Sequence, residues 1–424
     1  MTDVLVRIDR QRLWSSLMEL AAVGAYVDEV TGLTGVNRLT LTDTEAEGRR
    51  LVTHWFRSAG LTVRVDPMGN VFARREGTDP DAAPVLIGSH VDTVATAGAF
   101  DGCLGVLGGL EVLRCFDEQG ITTVRPVEVA FFTEEEGVRF GVDMLGSAVA
   151  AGRIALAEAL ALTDRDGVTL GSELTRHGFD GTGPELLTPP HAYVECHIEQ
   201  GPVLAEAGIE VGVVTGVQGI SWQEITIRGR SAHAGTTPTE LRLDAGLAAA
   251  LVIVRLREMA DSGEYGAMRS TVGDLRFAPG LTSIVPNRAT FTVDLRNPDD
   301  DQMARAESAL VDFLTEMEER WPGLTFSIRR MARTAHVPFD GEVQKAIAQA
   351  ADDLGYSHTS LLSGAGHDAQ ELAAICPTAM VFIPGEFDGI SHNPREYSTP
   401  EACERGVNVL ATVVCRLAQG AAAI

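Results

Sequence analysis

The chain has 424 residues, 45% hydrophobic and 22% charged, an ordinary soluble balance on a length that predicts two domains rather than one core. Its 34 basic and 59 acidic side chains give a formal charge of -25, which repels phosphate backbones and anionic membrane surfaces and argues against a nucleic-acid partner. The six cysteines form no CxxC pair and the first twenty residues hold no unbroken apolar run, so a reduced, cytoplasmic setting without signal peptide or membrane anchor is expected.

Leu13, Leu17 and Leu20 recur at helical spacing and predict a helix over about 9–23. A loop rich in Gly, Thr and Asp follows over 26–41, then a second helix over 44–59. Residues 61–65 and 71–74, split by Pro67-Met68-Gly69-Asn70, read as a hairpin on a sheet edge. From Val85 short apolar runs alternate with longer periodic segments: strand 85–89, helix 102–118, strand 127–133, helix 143–151, strand 192–196. That rhythm predicts an α/β domain with a mostly parallel sheet.

After Gly208 the texture changes. Two β-like runs lie over 211–228, helices over 241–259 and 303–317, and strands over 270–277, 289–295 and 324–330. These predict an inserted α+β two-layer domain at 211–328, dividing the α/β domain into 1–210 and 329–424. The returning part carries a helix from 339 to 355, strands near 358–362 and 379–383, and a closing helix over 399–417. There is no internal repeat.

The apolar run Val85-Leu86-Ile87 ends in Gly88-Ser89-His90-Val91-Asp92-Thr93, with Asp101 a little further on. Open α/β sheets bind ligands at such strand ends; the plainer alternative is that Asp101 caps a helix and His90 is a core histidine. The next strand ends in Thr133-Glu134-Glu135-Glu136-Gly137. Three adjacent carboxylates call for a neutralising cation, or else form an acidic helix start. A third strand leads into His197, and the last is followed by Gly389-Ile390-Ser391-His392. Four strand ends thus deliver imidazoles and carboxylates without thiolate, a donor set for zinc, cobalt, manganese or nickel. Five ligands exceed the three protein ligands of a single catalytic zinc, and a carboxylate shared between two metals resolves the count.

The segments GSHVDTVATAGAFDGCLGVLGGLEVL, FFTEEEGVRFG, ECHIEQGPVL, RGRSAHAGTTP, SGAGHDA and GISHNPREYS resemble the M20 metallopeptidase-like amidohydrolases, in the branch of N-carbamoyl-L-amino acid hydrolases, β-ureidopropionases and allantoate amidohydrolases. The resemblance runs from about Gly35 to the C-terminus. It implies two divalent metal ions (zinc, or manganese, cobalt or nickel) on His90, Asp101, Glu136, His197 and His392, with Asp101 bridging. It implies Glu135 as the base and Asp92 as the carboxylate supporting His90. His233 would reach the substrate carbonyl, often across a homodimer interface. Arg296 would hold the substrate carboxylate, with Gln200 and His367 as further polar contacts, and the inserted domain would serve as lid and dimerisation domain.

One departure bears on specificity. The branch carries an asparagine in an Asn-Val-Ile-Pro run thirteen positions before the arginine, where this chain has Ser283-Ile284-Val285-Pro286. A hydroxyl at Ser283 cannot make both hydrogen bonds of an amide. The expected activity is hydrolysis of the C–N bond of an N-carbamoyl amino acid or related ureido acid, with an N-acyl amino acid amidase or small-peptide hydrolase as the alternative on the same metals. A facial-triad iron oxygenase, reading His90-x-Asp92 with a distant histidine, and a non-catalytic binding protein are rivals of other classes. His54, His177, His191, His336, His358 and the cysteines read as structural.

Overall fold

The structure is a computed structural model describing residues 5–419. The chain divides into two compact units, residues 1–216 with 338–424 and residues 217–337. The second unit therefore runs later at both ends than the expected 211–328. Val211–Val217 pairs with Thr378–Ile383 in the large sheet, and the strand expected to end at Arg330 continues to Thr334.

The first unit is built on a nine-stranded sheet. Its centre is parallel, in the spatial order Thr378–Ile383, Ala192–Ile198, Val85–His90, Val127–Phe132. Towards both edges the pairing turns antiparallel, through Val211–Val217 on one side and the Thr62–Val65 and Val71–Arg75 hairpin on the other. The sheet is thus mixed rather than mostly parallel, because a hairpin can pair its strands only antiparallel. Its central strands are buried along their whole length, as strands covered on both faces must be.

Cys103–Glu118 is apolar almost all round and buried from Cys103 to Leu113, the pattern of a helix sunk between layers. Pro400–Ala418 packs on it and on the Ala192–Ile198 and Thr378–Ile383 strands. The segment expected as loop over 26–41 instead contains a short antiparallel ribbon, Ala25–Val27 with Thr34–Val36. Tyr, Thr and Val favour extended backbone there, and Asp28 closes the turn by accepting from the Thr31 amide at 2.7 Å.

The second unit is a five-stranded sheet in the order Arg269–Thr271, Arg288–Asn297, Gly219–Arg228, Thr325–Thr334, with Leu275–Ala278 also on Arg288–Asn297. Helices Ala245–Asp261 and Asp300–Arg320 cover it through Val252, Leu256, Leu310 and Leu314, which meet Ile225, Ile227, Phe291 and Val293. The single strand expected over 270–277 is two, because Gly273 and Asp274 interrupt it and the Asp274 carbonyl accepts from Thr292. The helix expected from Leu241 starts at Ala245, where Asp244 caps the amides of Gly246 and Leu247.

One buried ion pair braces the first unit. Arg49 and Glu45, four apart on Asp43–Ser58, are both fully buried and paired. Arg49 also donates to the Gly69 carbonyl at 2.7 Å and Thr133 Oγ1 at 3.0 Å. Arg49→Ala is expected to lower unfolding stability by about 3–5 kcal/mol, since it strands a buried carboxylate. Replacing both partners with apolar residues is expected to cost much less, and urea midpoints of the three proteins check this.

A second ionic knot ties the 162–177 segment to the 40–41 main chain. Arg139 donates to the carbonyls of Thr40 and Leu41 and to Asp164 and Glu173. Hydrogen bonds from Arg176, and then from Arg139, hold the Glu173 carboxyl down to about 2. A depressed carboxyl contributes stability above its unfolded value of 4.5 and loses it as pH falls towards the folded value. The unfolding free energy of Glu173→Gln is therefore expected to fall less steeply than wild type between about pH 4.5 and 2, read by denaturant titration at each pH.

Candidate metal centre

The four parallel strands present their carboxyl ends along one edge, and the register sets His90 opposite Phe132 and His197 opposite Phe382. His90 closes its strand, Glu135 and Glu136 follow the neighbouring one, and His197 lies within the third rather than after it. His392 stands on the loop after the fourth, with a left-handed φ of 55°. The carboxylates of 134–136 begin no helix, the next one being Leu145–Ala150, and Asp101 makes no capping bond to Cys103–Glu118. The helix-start and helix-cap readings are thereby set aside.

Asp101 lies at the middle of the cluster. Its Oδ1 is 3.5 Å from His90 Nε2 and 3.2 Å from His197 Nε2. Its Oδ2 is 3.5 Å from His392 Nε2, which is itself 3.3 Å from Glu136 Oε2. Ligands about 2.0–2.1 Å from a tetrahedral metal stand roughly 3.3 Å from one another. Among the described residues, His90 with Asp101 and His197, Asp101 with Glu136 and His392, and Glu195 with His197 and His367 each bring their ligand atoms within 4.8 Å of one another, and the four distances from Asp101 and Glu136 to the imidazoles are near that spacing. The residues present fit a divalent metal.

The imidazoles are set for ligation by the main chain. His90 Nδ1 is 2.9 Å from the Asp92 carbonyl, and His197 Nδ1 is 2.9 Å from the Ile198 carbonyl. A proton on Nδ1 satisfies each carbonyl and leaves Nε2 as the ligating atom, the tautomer a metal requires; in His197 that Nε2 accepts from the Gly102 amide at 3.1 Å. The support expected from the Asp92 carboxylate is thus supplied at hydrogen-bond distance by its carbonyl, with Oδ1 3.8 Å away. The carboxylate instead accepts from Thr40 Oγ1 at 2.7 Å and from the Glu136 amide at 3.3 Å. Gly102 has φ 65°, and a Cβ there would lie 2.4 Å from the His90 ring, so only glycine lets the Asp101 turn approach that imidazole.

Glu135 Oε2 is 3.4 Å from His90 Nε2. Burial pushes its carboxyl well above the usual range; His90 pulls it down, while Asp368, Glu136 and Asp101 push it up. Burial likewise lifts Glu134 to about 8, whereas His392 is raised to about 9 chiefly by its bond to Glu136. Several titratable groups with displaced pKa values thus share one buried space, which makes it the candidate site.

Other expected contacts occupy different places. Gln200 Nε2 donates to Asp101 Oδ2 at 2.7 Å. His367 is buried, with Nε2 2.9 Å from Ser363 Oγ and its ring 4.6 Å from that of His197. In the second unit, His233 is exposed and its Nδ1 accepts from the amides of Gly235 and Thr236. Ala232–His233 pairs antiparallel with Ile284–Val285, and the carbonyl of the adjoining Ser283 accepts from the Ala234 amide. Arg296 pairs bidentately with Asp294 at 2.8 and 2.9 Å.

Sequence reading passed over a layer behind the histidines. Glu195 accepts from Ser89 Oγ at 2.6 Å, Tyr193 OH at 3.0 Å and the Ala369 amide at 3.1 Å. Asp368 accepts from Ser147 Oγ at 2.6 Å. The period-two spacing that puts Glu195 on the same strand face as His197 was the available signal.

Fold and donor sets together define an α/β protein with a metal-capable centre at the carboxyl edge of its sheet. The chain belongs to peptidase family M20/M25/M40, whose model matches residues 86–416. It is 42% identical over 413 residues to an N-carbamoyl-L-amino-acid amidohydrolase of Rhizobium meliloti, covering 97% of each chain. It is also 42% identical over 420 residues to the N-carbamoyl-L-amino acid amidohydrolase of Geobacillus stearothermophilus, covering 97% of this chain and 100% of that one. Among solved structures, an amidase of the hydantoinase/carbamoylase family from Burkholderia multivorans superposes with a TM-score of 0.90 at 44% identity, over 98% of this chain and 99% of that one. Among the described residues no helix is long and apolar enough to cross a membrane.

Proposed function

We propose that the chain is a dinuclear metal-dependent amidohydrolase that cleaves an N-carbamoyl amino acid or related ureido acid. With a carbamoyl substrate and one water, the products are the free amino acid, carbon dioxide and ammonia. The observation that carries this reading is the pair of donor groups that share Asp101 beside the buried Glu135. The full-length similarity to two N-carbamoyl-L-amino-acid amidohydrolases supports the substrate class.

In this reading His90, Asp101 and His197 would hold one ion and Asp101, Glu136 and His392 the other, and zinc, manganese, cobalt and nickel all suit these donors. Such ions activate a water and polarise the scissile carbonyl. Glu135 takes the proton of the attacking water and returns it to the departing nitrogen. Asp92 keeps Thr40 and the Glu136 amide in place and so holds the acidic turn. Arg296, released from Asp294, grips the substrate carboxylate bidentately, and His233 offers a polar contact to the carbonyl oxygen. Gln200, Ser283 and His367 complete the polar lining. The second unit acts as lid and dimerisation domain of a cytoplasmic homodimer.

Ser283, in place of the branch's asparagine, keeps a second reading in play, in which the bond cleaved is the amide of an N-acetyl or N-formyl amino acid or the peptide bond of a small peptide. Metal-reconstituted protein tested on N-carbamoyl, N-acetyl and N-formyl amino acids separates the two. Ammonia release from carbamoyl substrates supports the first reading. Turnover confined to acyl substrates replaces it with the second.

A further inference from the structure

We propose that Glu396 is a positioning residue for the metal centre, fixing the main chain of Asp101 directly and its carboxylate through Ser391. The inference rests on the reading of Asp101 as a metal ligand and deepens it.

Glu396 is nine-tenths buried or more and uses both carboxylate oxygens. Its Oε1 accepts from the amides of Phe100 and Asp101, at 2.9 and 3.1 Å. Its Oε2 is 2.7 Å from Ser391 Oγ, and the same hydroxyl is 2.8 Å from Asp101 Oδ2. One side chain thus reaches Asp101 at its amide and shares with the Asp101 carboxylate the Ser391 hydroxyl, which has one proton to donate. Two points of attachment fix both the position of the Cα and the rotation of the carboxylate plane. A ligand that faces two donor groups needs both fixed, since rotation of the plane moves Oδ1 and Oδ2 in opposite directions.

The approach is made possible by Gly98, where a Cβ would lie 2.4 Å from Glu396 Cβ. Glu396 also belongs to the segment that carries His392. Its own amide donates to the Asn393 carbonyl at 2.9 Å, closing a tight turn just after the histidine. The Thr96 hydroxyl meets the His392 carbonyl at 3.0 Å. The 96–101 and 391–396 segments are therefore laced together, and Glu396 is the charged member of the lacing. Outer supports of this kind hold ligands in place, and removing one weakens metal binding by about 10–100-fold.

The test uses the full chain stripped of metal and titrated with Mn²⁺ in a calorimeter, with urea unfolding measured in parallel. Glu396→Ala and Ser391→Ala are each expected to weaken Mn²⁺ binding by about 10–100-fold. Glu396→Gln, which keeps an oxygen for the amides of Phe100 and Asp101, is expected to recover part of the loss. A merely structural role for Glu396 would shift the urea midpoint while leaving Mn²⁺ affinity of the folded protein within about twofold of wild type, and that result overturns the inference. Ser391→Ala removes one hydroxyl only, so it decides the matter if Glu396→Ala does not fold. Absence of Mn²⁺, Zn²⁺ and Co²⁺ binding in the wild-type chain would instead overturn the metal reading beneath it.

Discussion

Glu135→Gln is expected to lower kcat on the preferred substrate by about 10²–10⁴ while divalent metal content stays at the wild-type level. The glutamine keeps the size and the polar contact near His90 Nε2 but cannot take up a proton from water. Glu135 suits that task by its place: it is buried, with Oε2 3.4 Å from His90 Nε2, beside the donor groups rather than within them. Neither donor group contains Glu135, which is why chemistry and metal content should separate. Metal analysis beside steady-state kinetics checks both halves. Wild-type turnover in the variant would exclude Glu135 as the base.

Asp101→Ala is expected to weaken binding at both donor groups together, by more than about 100-fold, because loss of a ligand exceeds the cost of losing an outer support. Activity should fall with it. The contrast is His392→Ala, which removes a donor from one group only and should leave His90, Asp101 and His197 able to hold an ion. Metal content after exhaustive dialysis separates the two variants. Equal retention in wild type and Asp101→Ala would remove the shared role of that carboxylate.

The metal-capable residues were legible because each follows or ends a run of buried apolar residues, and a polar cluster at such a boundary is conspicuous in sequence. The choice of His90, Asp101, Glu136, His197 and His392 among these clusters came from the family resemblance, and the structure brings the five side chains together. The layer behind them was not legible in the same way. Glu195 and Asp368 look like isolated acids until the topology places them near Ser89, Ser147 and Tyr193, and Thr40 meets Asp92 from 52 positions away. The tautomer of His90 is set by a carbonyl, which no choice of side chain announces. The helices were read well where apolar spacing was regular, as in Cys103–Glu118. The ribbon at 25–36 was missed because strands of three residues are too short to show a period, and Leu156–Ala161 and Leu170–His177 lie in a stretch for which no element was expected. The hairpin at one edge was expected, whereas the antiparallel pairing of Val211–Val217 at the other was not, because apolar runs reveal burial but not strand direction.

The first unit is assembled from two stretches of chain separated by residues 217–337, and this has a consequence for biosynthesis. His90, Asp101, Glu136 and His197 leave the ribosome long before His392. At about 5–20 residues per second, the interval between Asp101 and His392 is on the order of tens of seconds. During that time the nascent chain carries a donor group with histidines and carboxylates but lacks its final imidazole and the strand Thr378–Ile383. Metal taken up then would meet an incomplete set of ligands, and full loading must await the arrival of the last segment. Bound metal would in turn stabilise the joining of the two ends of the chain, so the centre would serve as a latch on completed synthesis as well as a seat of chemistry.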